Sequence, residues 1–206
     1  MGVGFIVGPQ VSAILFAGAV FGHLFLAPLA LRIYLAPIFI MAGSNKLKHA
    51  EHLGSYFESL GIPAPELMVY AAGLTELLGG IALLAGFAVR WAAIPLMFTM
   101  LVAATTAHWE NGWHVLPETD LTVPWEWRTD LIEEANTRKD AARSLLKAHG
   151  NYSWLTETGS ITILKNGIEF AATYFIMLLA LLYLGAGRFF SIDYWIARKW
   201  RNRDNC

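Results

Sequence analysis

Thiols are almost missing from this sequence: its one cysteine, Cys206, is the last residue. That excludes a disulfide within it, a paired-thiol redox motif and an all-cysteine iron–sulfur or zinc site. Charge is scarce as well. Charged residues make up 15% and hydrophobic ones 56%, with a mean hydropathy of +0.46. Soluble domains carry about 25% charged residues, so this chain has too few to cover a surface facing water. The formal net charge of -1 does not supply the basic surface that phosphate recognition needs, and no nucleic-acid partner is expected. No lysine or arginine precedes Arg32. A secretory signal needs a positive start, so the apolar beginning reads as retained. P-loop, nucleophile-elbow and paired-carboxylate motifs are absent too.

What the sequence does have is long apolar runs. An all-α integral membrane protein follows, a four-helix bundle in one membrane domain over 1–206, with spans at 27–45, 66–89, 91–109 and 161–187. Trp91 and Trp109 stand 18 positions apart, about 27 Å along a helix, which matches the two aromatic belts of a bilayer. Residues 1–26 are apolar but rich in glycine, and read as an interfacial helix or an extra span. The interfacial reading is preferred, because only Pro28 separates the stretch from the next span.

Residues 110–160 differ from the rest, with nine acidic residues and five lysines or arginines. Asp130 and Glu133 have capping-box spacing, which predicts a helix from Asp130 to about His149 that stops at Gly150. Its apolar stripe is Leu131, Ala135, Ala142, Leu145 and Leu146. Arg90, Arg188, Arg198, Lys199, Arg201 and Arg203 fall on one side of a four-span topology. The positive-inside bias then puts both termini in the cytoplasm and the long loop outside, with 188–206 as a tail anchored by Trp195 and Trp200.

Charged groups inside spans are costly and need an account. Arg32, Lys46, Glu76, His108, Lys165, Asn166 and Glu169 form the candidate polar intramembrane site. Glu76 shares a helical face with Gly73 and Gly80, small residues that let a neighbouring helix approach, and its partner is Arg32, Lys46 or Lys165. Lys165 and Glu169, four apart, fit a pair within one helix. His108 and His114 do not share a helical face, and His49 and His52 are a weak pair, so neither metal nor haem is expected. The tryptophans at 109–113 and 125–127 read as interface anchors. Bundle glue, proton handling and ligand binding all remain open for these groups.

The run Arg32–Ile33–Tyr34 through Gly43–Ser44–Asn45–Lys46–Leu47 resembles the first helix of the DoxX family. Gly61–Ile62–Pro63–Ala64–Pro65 is similar to its following loop, Glu76–Leu77–Leu78–Gly79–Gly80 with Gly86 and Arg90 to its second helix and turn, and His108 to the histidine closing the third. The resemblance covers about residues 28–114. It implies a bacterial inner-membrane protein linked to redox metabolism, since the family includes the small DoxD-type subunit of thiosulfate:quinone oxidoreductase. Quinone is the ligand class this implies, and other membrane protein subunits are the implied partners. A non-catalytic accessory or assembly subunit is the alternative, and a solute path ranks third. Carried over by position are Arg32, Lys46, Glu76 and His108.

Overall fold

A computed structural model describes residues 26–116 and 121–203. Residues 1–25, which hold nearly all of the expected N-terminal helix, lie outside them. Every regular element among the described residues is helical. In chain order these are α1 (Ala27–Lys48), α2 (Ala50–Ser59), α3 (Pro65–Ala85), α4 (Val89–Val102), α5 (Asp130–His149), α6 (Tyr152–Leu155), α7 (Glu169–Leu184) and α8 (Ile192–Arg203). A π-helical turn, Ala103–His108, and a 3-10 turn, Trp109–Asn111, prolong α4.

Three helices are long and apolar enough to cross a membrane: Ala27–Lys48, Pro65–Ala85 and Val89–Asn111. They overlap the first three expected spans. Their exposed side chains include Ile33, Met41, Leu78, Trp91 and Phe98, a surface suited to lipid rather than water. The fourth apolar helix is shorter than expected. α7 begins at Glu169, and residues 161–167 are not helical. Asn166 adopts a left-handed φ of 63°, and the backbone of 165–169 bonds instead to that of 112–115, for example Gly167 N to His114 O at 2.9 Å.

Two units make up the chain, Met1–Thr99 with Ile176–Cys206, and Met100–Phe175. In the first, α1 packs on α3 at backbone distance. A Cβ on Gly43 would collide with Leu77 N and Gly73 O, and one on Gly80 would lie 2.8 Å from Ile40 N. Glycine at these positions is therefore required by contact, not by backbone angle. Gly79 receives the Leu96 side chain of α4 in the same manner. Leu35, Phe39, Val69, Leu83, Leu96 and Leu178 are fully buried in this unit.

α3 ends on Gly86, whose φ is 65°. Phe87 N bonds to Ala82 O at 3.0 Å and Gly86 N to Leu83 O at 3.2 Å, the paired bonds of a Schellman end.

In the second unit, α5 has its expected limits and stops at Gly150. The expected capping box does not form. Thr129 occupies the cap position without a side-chain bond, and Asp130 pairs with Arg128 at 2.8 Å. The residues α5 buries are Ile132 and Ala135, while Leu145 is exposed.

Candidate functional site

The expected site residues fall into three groups: Arg32, the pair Lys46 and Glu76, and the set His108, Lys165, Asn166 and Glu169. Arg32 and Lys46 are 14 residues apart on α1, about 21 Å along its axis, so Arg32 is not the partner of Glu76.

Arg32 is buried and turned wholly to backbone. Nε donates to Leu83 O at 2.7 Å, Nη1 to Ala186 O at 2.8 Å and Phe189 O at 3.4 Å, and Nη2 to Leu84 O at 3.0 Å and Phe190 O at 2.8 Å. A guanidinium has five N–H donors, and five carbonyls receive them. Leu83 and Leu84 belong to the last turn of α3, where carbonyls lack helical partners and the dipole favours a cation. Gly86 leaves the room, since a Cβ there would sit 2.5 Å from Arg32 Nη2. This geometry ties the end of α3 to the segment after α7.

Sequence reasoning missed Asp193, which completes this region. Its carboxylate accepts from Ala88 N at 2.7 Å and Val89 N at 3.2 Å, supplying acceptors at the start of α4. An acidic residue early in a largely basic tail was the available signal.

Lys46 and Glu76 meet across the α1–α3 seam, with Nζ 2.6 Å from Oε2. Glycine permits the meeting: a Cβ on Gly73, one turn before Glu76, would already touch Leu47 and the Cβ of Lys46. The Glu76 side chain is 4% exposed and that of Lys46 26%. The carboxylate is thus sealed while the ammonium opens outward. An ammonium has three donors, and among the described residues Glu76 is the acceptor bonded to this one. The pair can offer a hydrogen bond, and a proton, to a group approaching Lys46.

The second unit holds the remaining residues. Lys165 does not pair with Glu169. It lies before the helix begins, so the four-residue spacing has no meaning there, and its ammonium bonds to Glu126 Oε2 at 2.7 Å and Arg128 O at 3.3 Å. Glu126 also accepts from the backbone N–H groups of Trp113, His114 and Arg128. Burial alone would raise its carboxyl, but the Lys165 bond and these three N–H groups outweigh burial and hold it at about 2. Glu169 accepts from Val115 N at 3.1 Å. His108 Nδ1 lies 2.9 Å from Asn166 O, which also accepts from Asn111 Nδ2 at 3.3 Å. The aromatic clusters join rather than stand apart. Trp109 stacks on Trp127 at 4.8 Å, and Trp113 meets Trp125 edge-on at 5.8 Å.

Glu126 was invisible as a partner because it lies 39 residues from Lys165. The Asn166–Gly167 dipeptide, a turn signal inside an apolar run, was the clue against a helix there.

Comparison with known proteins adds one match. The DoxX family model matches residues 27–109, which include α1 through α4 and end one residue past His108. Neither the curated proteins nor the solved structures gave a match. The apolar helices and the family together make this a membrane protein. The chain carries a DoxX-family domain over residues 27–109.

Proposed function

We propose that this chain is a DoxX-type subunit of a redox-linked system of the bacterial inner membrane, and that the Lys46–Glu76 pair is where it meets a quinone. One observation carries the reading: a sealed carboxylate polarises a half-open ammonium at the end of a membrane helix. A quinone carbonyl needs a hydrogen-bond donor and a route for protons. Lys46 supplies the donor, and Glu76 holds it in place and shares its proton. In this reading the electrons come from a partner subunit. α7 completes a four-helix bundle in this reading, with both termini in the cytoplasm and the 110–160 loop outside.

Native mass spectrometry of protein extracted gently from its own membranes tests this. Wild-type protein should carry a quinone mass, and Glu76→Gln should weaken its retention about tenfold, equivalent to about 1.4 kcal/mol. Equal retention by both forms would sink the quinone site. A second reading, an accessory subunit docking onto a larger complex, has its own support. Trp109, Trp125, Trp127 and Trp154 all expose ring surface in the second unit, and aromatic residues are enriched at protein interfaces. Larger assemblies without quinone in the same spectra would favour it.

A further inference from the structure

α8 belongs to the first unit and is bonded to it at its first turn. Its first turn is locked down: Asp193 N donates to Gly86 O at 3.0 Å, the preceding Ser191 Oγ donates to the same carbonyl at 3.3 Å, and the Asp193 carboxylate accepts from Ala88 N and Val89 N. Beyond that turn the helix is uncovered. Ile192, Trp195, Ile196 and Trp200 are exposed, the tryptophans by 60% and 65%. At helical spacing these four share one face.

Charge on this segment is one-sided. From Ala186 to the last residue the cations are Arg188, Arg198, Lys199, Arg201 and Arg203, five against the two acids Asp193 and Asp204. Asp193 is spent on the start of α4, so it does not neutralise the outer surface. Arg198 lies over the Trp195 ring at 5.7 Å, and Arg188 lies over the Tyr194 ring at 5.2 Å while donating to its hydroxyl at 3.2 Å. Arg198 thus reaches over a ring of the exposed face while Arg188 rests on Tyr194 on the other side, an arrangement that lets Trp195 lie among acyl chains with guanidinium groups among phosphates. The helix is 12 residues long, about 18 Å, and starts at the end of the membrane helix α3 where Arg32 gathers its carbonyls.

We infer that α8 is a headgroup-binding element that lies in the membrane interface and selects anionic phospholipid. Basic juxtamembrane segments gather anionic lipid by charge, and aromatic side chains set their depth. The inference uses the membrane-spanning helices and does not depend on a quinone site.

The test uses the full chain with Cys206→Ser and Asn202→Cys, labelled at the new thiol with a fluorophore. It is reconstituted in vesicles of equal parts phosphatidylcholine and phosphatidylglycerol, with bromine on one lipid or the other. Brominated phosphatidylglycerol should quench the label about twofold more than brominated phosphatidylcholine, reflecting local enrichment. The preference should vanish in 1 M salt, where the screening length is about 3 Å, and in the triple variant Arg198→Gln, Lys199→Gln, Arg201→Gln. Those side chains are exposed, and the salt experiment needs no variant. Equal quenching by the two lipids would overturn the selectivity, and no quenching by either would overturn the interfacial placement.

Discussion

Lys46–Glu76 in the first unit and Lys165–Glu126 in the second are the same chemical pair at nearly the same length, 2.6 and 2.7 Å. They are built for different ends. Around Lys165 the side chains are 3% and 0% exposed, and Glu126 collects three backbone N–H groups besides the ammonium. Gly112 closes the last gap, since a Cβ there would collide with Glu126 Oε1. Around Lys46 there is one bond among the described residues, and a quarter of the lysine side chain is open. A buried ion pair with its lone pairs filled is a fixed joint, because any rearrangement leaves an uncompensated charge. A pair with unfilled donors on one open side can take part in binding. The number of filled partners, not the length of the bridge, distinguishes the two.

The largest effect should come from breaking the filled pair. Lys165→Met leaves Glu126 buried without its counter-charge, and should destabilise the second unit by about 3–5 kcal/mol. Limited proteolysis within 110–168 would report it, and wild-type resistance in the variant would dissolve the contrast.

Acid tests the same pair without mutation. The Glu126 carboxyl is held at about 2 against an ordinary 4.5, so the folded state binds its proton less readily than the unfolded chain. Its contribution is complete above about pH 4.5 and is lost as pH falls toward 2, about 3 kcal/mol in all. Proteolytic opening measured with an acid-active protease should rise across that window in wild type. In Glu126→Gln this group's titration is removed, and the rise should flatten.

Glu76→Gln should cost less, about 1–2 kcal/mol in thermal unfolding in detergent, because the half-open lysine can turn outward. A loss as large as that of Lys165→Met would mean that the first pair is also a fixed joint, and would count against a ligand there. The smallest effect belongs to the exposed Glu134–Arg138 pair on α5. Arg138→Ala should leave the same thermal scan unchanged, since solvent already screens such pairs.

Much of the first unit was legible in the sequence because its signals are local. Long apolar runs gave the three spans, and the shared face of Gly73, Glu76 and Gly80 pointed to a close helix contact with a carboxylate in it. The choice among Arg32, Lys46 and Lys165 as its partner needed the structure, since all three were consistent with the pattern. Arg32 looked like a site residue because a lone buried cation usually faces a ligand or a carboxylate. Its acceptors are carbonyls, which no residue name reveals. The second unit was harder to read. Its apolar run continued through 161–168 into α7, and hydropathy does not register that Asn166 and Gly167 break the helix while the backbone pairs with 112–115.

Arg32 also imposes an order of events on synthesis. Its acceptors at Leu83 and Leu84 follow it by 51 and 52 residues, and those at Ala186 and Phe190 by 154 and 158. The guanidinium on the first described helix therefore stays incompletely compensated until nearly the whole chain has been made. A chain made only as far as residue 185 holds two of the five carbonyls that Arg32 bonds in the finished protein. The last-made segment thus certifies the first.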